Sequence, residues 1–144
     1  VKGARRAWRS IGSAALAVAL LSPGSASAAM IGFAGELEVN DAPISFEAKK
    51  RRGLYRSIPL FEIGDSTTGV PVECEDPPDE RSYSYGQVDV RHDQTIRETD
   101  DFITIRAEFT RNERLRGTFK IDGVGQGEYC TTNGPLRFRA TPVT

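Results

Sequence analysis

FITIRAEFT, residues 102–110, decides how this chain is built. Ile103, Ile105, Ala107 and Phe109 fall on one side of an extended backbone, with Thr104, Arg106, Glu108 and Thr110 on the other. A strand with one buried and one wet face requires this period of two. RNER (111–114) follows as a hairpin turn. LRGTFKI (115–121) then returns with Leu115, Gly117, Phe119 and Ile121 facing the same core.

The pattern extends outward from that hairpin. Upstream, GELEV (35–39) predicts Leu37 and Val39 inward, and ISFEA (44–48) predicts Ile44, Phe46 and Ala48 inward, with Asn40 and Asp41 turning between them. KKRRG (49–53) reads as a charged tip. LYRSIPLFEI (54–63) reads as a strand broken by Pro59, which cannot donate to a ladder. VPVEC (70–74) and QVDVR (87–91) are further short strands, and an acidic loop runs on from Cys74 through RSYSYG (81–86). Downstream, DGVGQG (122–127) reads as a glycine-rich loop, and PLRFRA (135–140) closes the chain with Leu136, Phe138 and Ala140 inward. No segment carries a helical period. About eight short strands at this spacing predict an all-β fold, an antiparallel β-sandwich or barrel in one domain.

The first residues have another character. Lys2, Arg5, Arg6 and Arg9 precede a short apolar run over 11–21, then Pro23, Gly24 and the small residues Ala26-Ser27-Ala28. That order is the secretory pattern, so residues 1–28 are expected to be a signal peptide and 29–144 the mature domain. The apolar run is too short for a transmembrane anchor, which needs about 20 residues. Arg5-Arg6 leaves the twin-arginine route open beside the general one. Removing those four cations from 19 Lys+Arg leaves 15 against 20 Asp+Glu, a net −5 that argues against nucleic acid as the partner.

The two cysteines, Cys74 and Cys130, are expected to form a disulfide in an oxidising, extracytoplasmic compartment. With one histidine in the chain, a zinc site lacks ligands. VECEDPPDE (72–80) gathers Glu73, Glu75, Asp76, Asp79 and Glu80 around Cys74. Pro77-Pro78 stiffens its middle and no glycine follows before Gly86, so a solvated loop is expected ahead of a calcium site.

The closing forty residues resemble a family of small secreted β proteins of actinobacteria. Gly117-Thr118-Phe119, Cys130, Thr132, Gly134, Phe138 and Ala140 carry the likeness, and residues 43–48 (PISFEA) with Cys74 fit its outline. Asn133 stands between Thr132 and Gly134 where the family has no residue, which alters that turn. The resemblance implies a fold and a compartment; it implies no activity and no catalytic residue.

Function classes follow from what remains. His92 beside Asp93, without a G-x-S-x-G elbow, does not make a hydrolase, and Asp100-Asp101 before a strand reads as a turn. No cofactor is expected. A non-enzymatic module for surface recognition fits better, its partner a secreted protein or an anionic cell-envelope polymer. Its candidate interaction surface is Tyr83 and Tyr85 with the cations Lys49, Lys50, Arg51 and Arg52. The alternatives are an inhibitor or accessory protein of a larger secreted enzyme, a small hydrolase and a calcium-binding module.

Overall fold

A computed structural model describes residues 27–143. The expected leader therefore lies almost wholly outside the described residues. The chain forms, in order, β1 (Ala29–Leu37), β2 (Pro43–Arg51), β3 (Leu54–Ile58), β4 (Phe61–Ile63), β5 (Val70–Pro71), β6 (Glu73–Cys74) and β7 (Glu80–Arg81). It continues through β8 (Tyr83–Tyr85), β9 (Val88–Asp89), β10 (Thr95–Thr99), β11 (Ile103–Phe109), β12 (Leu115–Gly125), β13 (Glu128–Thr131) and β14 (Leu136–Pro142). All pairings are antiparallel. No helix among the described residues is long and apolar enough to cross a membrane.

The backbone of the fold is one curled sheet in the order β10-β11-β12-β14-β1-β2-β3-β9. Of the sandwich and the barrel, this is closer to the barrel. The two strands at the ends of that path, β9 and β10, are neighbours in the chain, and the curl brings them together. Gln94, just before β10, completes the approach. Its side-chain amide accepts from Tyr55 N at 2.8 Å and donates to Tyr55 O at 2.9 Å, as a neighbouring strand would. Its own carbonyl accepts from Phe109 N at 2.9 Å. Gln94→Ala would strand two half-buried backbone groups on β3, and about 2 kcal/mol of stability is expected to go with them. Chemical denaturation checks this: the midpoint falls while the slope stays constant.

The core follows the alternation. Ile44, Phe46 and Ala48 are buried, as are Ile103, Ile105, Phe109, Leu115, Phe119, Ile121, Phe138 and Ala140. Phe33 stacks on Phe46 with ring centroids 4.9 Å apart, and Tyr55 stacks on Phe109 at 4.1 Å, so the rings run through the barrel from wall to wall. Each fully buried large apolar side chain stabilises the fold by roughly 1.5–3 kcal/mol.

Several local expectations are corrected. Val39 is exposed, because β1 ends at Leu37 and residues 38–41 form the turn closed by Leu37 N to Ala42 O; Ala42 takes the inward place. The glycine-rich segment 122–125 continues β12 instead of looping, since its edge pairs with β13. The charged tip is shorter than expected: β2 extends through Lys49, Lys50 and Arg51, and only Arg52 and Gly53 turn, both with φ above zero. Pro59 does split its strand, into β3 and β4, which lie against different stretches of β2.

Candidate functional site

Cys74 and Cys130 are joined. They are directly opposite one another on β6 and β13, so the bridge fastens neighbouring strands and not two stacked sheets. It fixes the base of the acidic loop, whose residues from Glu75 to Glu80 are all exposed.

That loop is held from beneath by one residue, Arg81. Its Nη2 donates to Asp76 O at 2.7 Å and its Nε to Pro78 O at 3.2 Å, so the guanidinium grips the loop's backbone on both sides of Pro77. Nη1 pairs with Glu128 Oε1 at 2.6 Å, and both side chains are about four-fifths buried. Glu128 returns the contact through Oε2, which accepts from Asp76 N at 2.7 Å. The ends are closed by β5 against β7, by Val72 N to Asp79 O at 2.8 Å, and by Gly69 N to Glu80 Oε1 at 3.0 Å. The outcome is an eight-residue connection, 72–79, with preset backbone. Glu73, Glu75, Asp76 and Asp79 face solvent along it.

The electrostatics of the brace are reciprocal. The Arg81 guanidinium, with the Asp76 amide second, holds the Glu128 carboxyl below the ordinary glutamate range; the Glu128 hydrogen bond raises Arg81. A depressed carboxylate contributes stability that is complete above its unfolded value and is lost as pH falls through the folded one. The brace is therefore expected to hold at neutral pH and to release below the ordinary glutamate pKa of about 4.3. The Arg81 Nε–H resonance should move below that value in wild type, and this step should be lost in Glu128→Gln.

The acidic cluster does not gather into a metal cage. Among the described residues, the group of potential ligands close enough to share an ion is Cys74, Glu128 and Cys130, and its two sulfurs are bonded to each other.

The remaining candidates are placed as follows. Tyr83 and Tyr85 are not an exposed pair of rings. They belong to β8, which pairs with β4 and sets Tyr85 beside Phe61 in the core. Tyr83 is half-buried, its ring centroid 6.1 Å from that of Phe119, and its sealed hydroxyl has no hydrogen-bond partner among the described residues. The alternation Ser82-Tyr83-Ser84-Tyr85 was the available sign of a strand here. Beside Tyr83 lies a cavity of about 340 Å³, with Phe102 at its rim resting over Gly125 and with Arg81 and Cys130 in its wall.

Lys50 is not free. Its Nζ lies 2.6 Å from Glu113 Oε1, which also accepts from the Tyr55 hydroxyl at 2.6 Å, and it sits over the Tyr55 ring. Lys50 and Tyr55 together hold Glu113 below the usual range, while burial, then the Glu113 contact, raises the Tyr55 phenol. Lys49, Arg51 and Arg52, joined by Arg56 from β3, instead line a shallow cationic hollow next to Ser27 and Ala28. His92 is exposed in the turn before β10. Its neighbour Asp93 accepts from the Thr95 hydroxyl and amide, and Asp100 accepts from Phe102 N and Ile103 N at 3.0 Å, so both acids shape turns.

No family model, curated protein or solved structure matches the chain.

Proposed function

We propose that the protein is an exported, non-enzymatic recognition module that presents its braced acidic loop to a secreted protein carrying a basic surface. One observation carries this reading: Arg81, itself paired with Glu128, grips the loop's backbone from within. A loop that is already ordered loses little conformational entropy on binding, which is the advantage of preorganisation. Its outward acids steer an oppositely charged partner and set the register of docking. An inhibitor or accessory protein of a larger enzyme would use the loop in the same way. Export is supported by the order of the leader, by the disulfide, and by the expected cut after Ala28, which falls immediately before β1. The likeness to small secreted actinobacterial proteins points to the same compartment.

A second reading has its own support, the cations Lys49, Arg51, Arg52 and Arg56, which gather beside the expected cut with no carboxylate among them. It would meet an anionic envelope polymer. Affinity capture from culture medium separates the two readings. Under the first, Glu75→Lys/Asp79→Lys abolishes capture of a protein and leaves envelope association unchanged. Protein capture that survives this reversal, or that is lost only in Lys49→Glu/Arg51→Glu/Arg52→Glu, would count against the loop.

A further inference from the structure

The outer face of β10, β11, β12 and β14 carries cations in an ordered array. Strand register places Arg97 opposite Arg106, Arg106 opposite Thr118, and Thr118 opposite Arg137, so these four form one row across four strands. The adjacent row on one side contains Arg116 opposite Arg139, and Lys120 opposite Thr104 lies in the row on the other. Arg97, Arg106, Arg116, Arg137 and Arg139 are all exposed. A groove of about 550 Å³ runs over this face, with Arg97, Arg106, Arg116, Thr118 and Arg137 among its lining residues.

Two features separate this array from ordinary surface charge. Like charges directly opposite on neighbouring strands destabilise a sheet, and Arg97 faces Arg106 in that relation. Among the described residues, Arg97, Arg106 and Arg137 form no ion pair; the acids on this face are Glu108, 3.1 Å from Arg116, Glu36, opposite Arg139 on β1, and Glu38 at the groove's rim. Five of the six cations are arginine, whose planar fork suits oxyanions better than the point charge of lysine.

We propose that this face binds a linear phosphate polymer lying along the strands. Successive rows on one face of a strand are about 6.6–6.8 Å apart, so the rows offer consecutive anion positions along such a chain. In the central row, Arg97 and Arg106 stand on one side of the short Thr118 and Arg137 on the other. The diverging oxygens of a tetrahedral phosphate can meet guanidinium groups on both sides and the Thr118 hydroxyl below. A carboxylate holds both oxygens in one plane and serves a single fork, so a polycarboxylate fits this row less well. The inference is independent of the acidic loop, and different substitutions test the two.

The experiment is titration of the intact protein with linear inorganic polyphosphate over a series of salt concentrations, with polyglutamate as the carboxylate comparison. Arg97→Gln/Arg106→Gln/Arg137→Gln is expected to weaken polyphosphate binding by at least about tenfold at low salt and to lower the slope of log affinity against log salt by roughly two to three. Arg91→Gln/Arg111→Gln, at two exposed cations outside both the row and the hollow, should bind within about twofold of wild type, since it leaves the row intact. Thermal unfolding checks that the triple variant is folded. If it is not, Arg137→Gln carries the test, with about threefold weaker binding and a slope lower by about one. Unchanged binding in the folded triple variant, or equally tight binding of polyglutamate at matched charge, would overturn the proposal.

Discussion

Cys74→Ala/Cys130→Ala is expected to lose about 4 kcal/mol of unfolding free energy, because the bridge spans 56 positions and removes that loop's freedom from the unfolded chain. The loss is a large share of the 5–15 kcal/mol typical of a whole domain. Its structural consequence should be concentrated at one end of the molecule. β6 is two residues long and pairs with β13 alone, so without the bond it has little to hold it in register. The base of the acidic loop would loosen with it, even though Arg81 still reaches Glu128. Urea denaturation of oxidised wild type and the double variant measures the first effect, and hydrogen exchange at Glu75 and Asp76 the second. A midpoint unchanged within error would mean that the bridge adds nothing to net stability and that β6 and β13 stay paired without it.

Gly117→Ala is expected to cost about 3 kcal/mol or more, the upper range for overpacking a filled interior. Gly117 lies opposite Ala107 on β11 and Phe138 on β14, near the middle of the curled sheet. A Cβ there would overlap the carbonyl oxygen of Arg106 and lie 2.6 Å from both Cα and Cβ of Ala107. Those are backbone neighbours with no rotamer through which to move. Gly35 on β1 is in the same position against Arg139 and Ala140. Together the two glycines let the inner faces of neighbouring strands close up. Gly117→Ala should therefore unfold well below wild type in a thermal scan, whereas Gly53→Ala, where no atom lies within 4 Å of the added Cβ, should lose only the modest cost of its positive φ. Equal melting points for the two variants would show that the sheet relaxes around the extra methyl.

Much of the fold was legible because the period-two signal is local. Ile103, Ile105 and Phe109, then Leu115, Phe119 and Ile121, reached the core from their spacing alone. β10 gave no such signal, since in TIRET only Ile96 is buried and Glu98 turns inward to contact Tyr85 and the Asp89 amide. The tyrosines of β8 were read as loop because their neighbours, an acidic run and a glycine, have turn composition. Their burial depends on β4, twenty-two positions earlier, being free to pair. Val39 shows the converse limit: alternation continues in the sequence after the chain has already turned away from the sheet.

The site was less legible than the fold. The charged residues of the loop were evident, but nothing local connects Arg81 with Glu128, 47 positions away, or Lys50 with Glu113, 63 positions away. The row of arginines was equally hidden. Arg97, Arg106 and Arg137 each appear as an ordinary outward residue of a separate strand, and only the register makes them neighbours.

By itself, the sequence determined the all-β class, the inward faces of β2, β11, β14 and the first part of β12, and the one pairing open to two cysteines. These follow from side-chain alternation and from a count, neither of which needs to know what lies next to what. The tertiary structure decided how the sheet curls, how Gln94 closes it, what holds the acidic loop and which cations share a face. Strands of two or three residues cannot bury a surface of their own, so their partners and registers are set by the burial and backbone hydrogen bonds of the whole barrel.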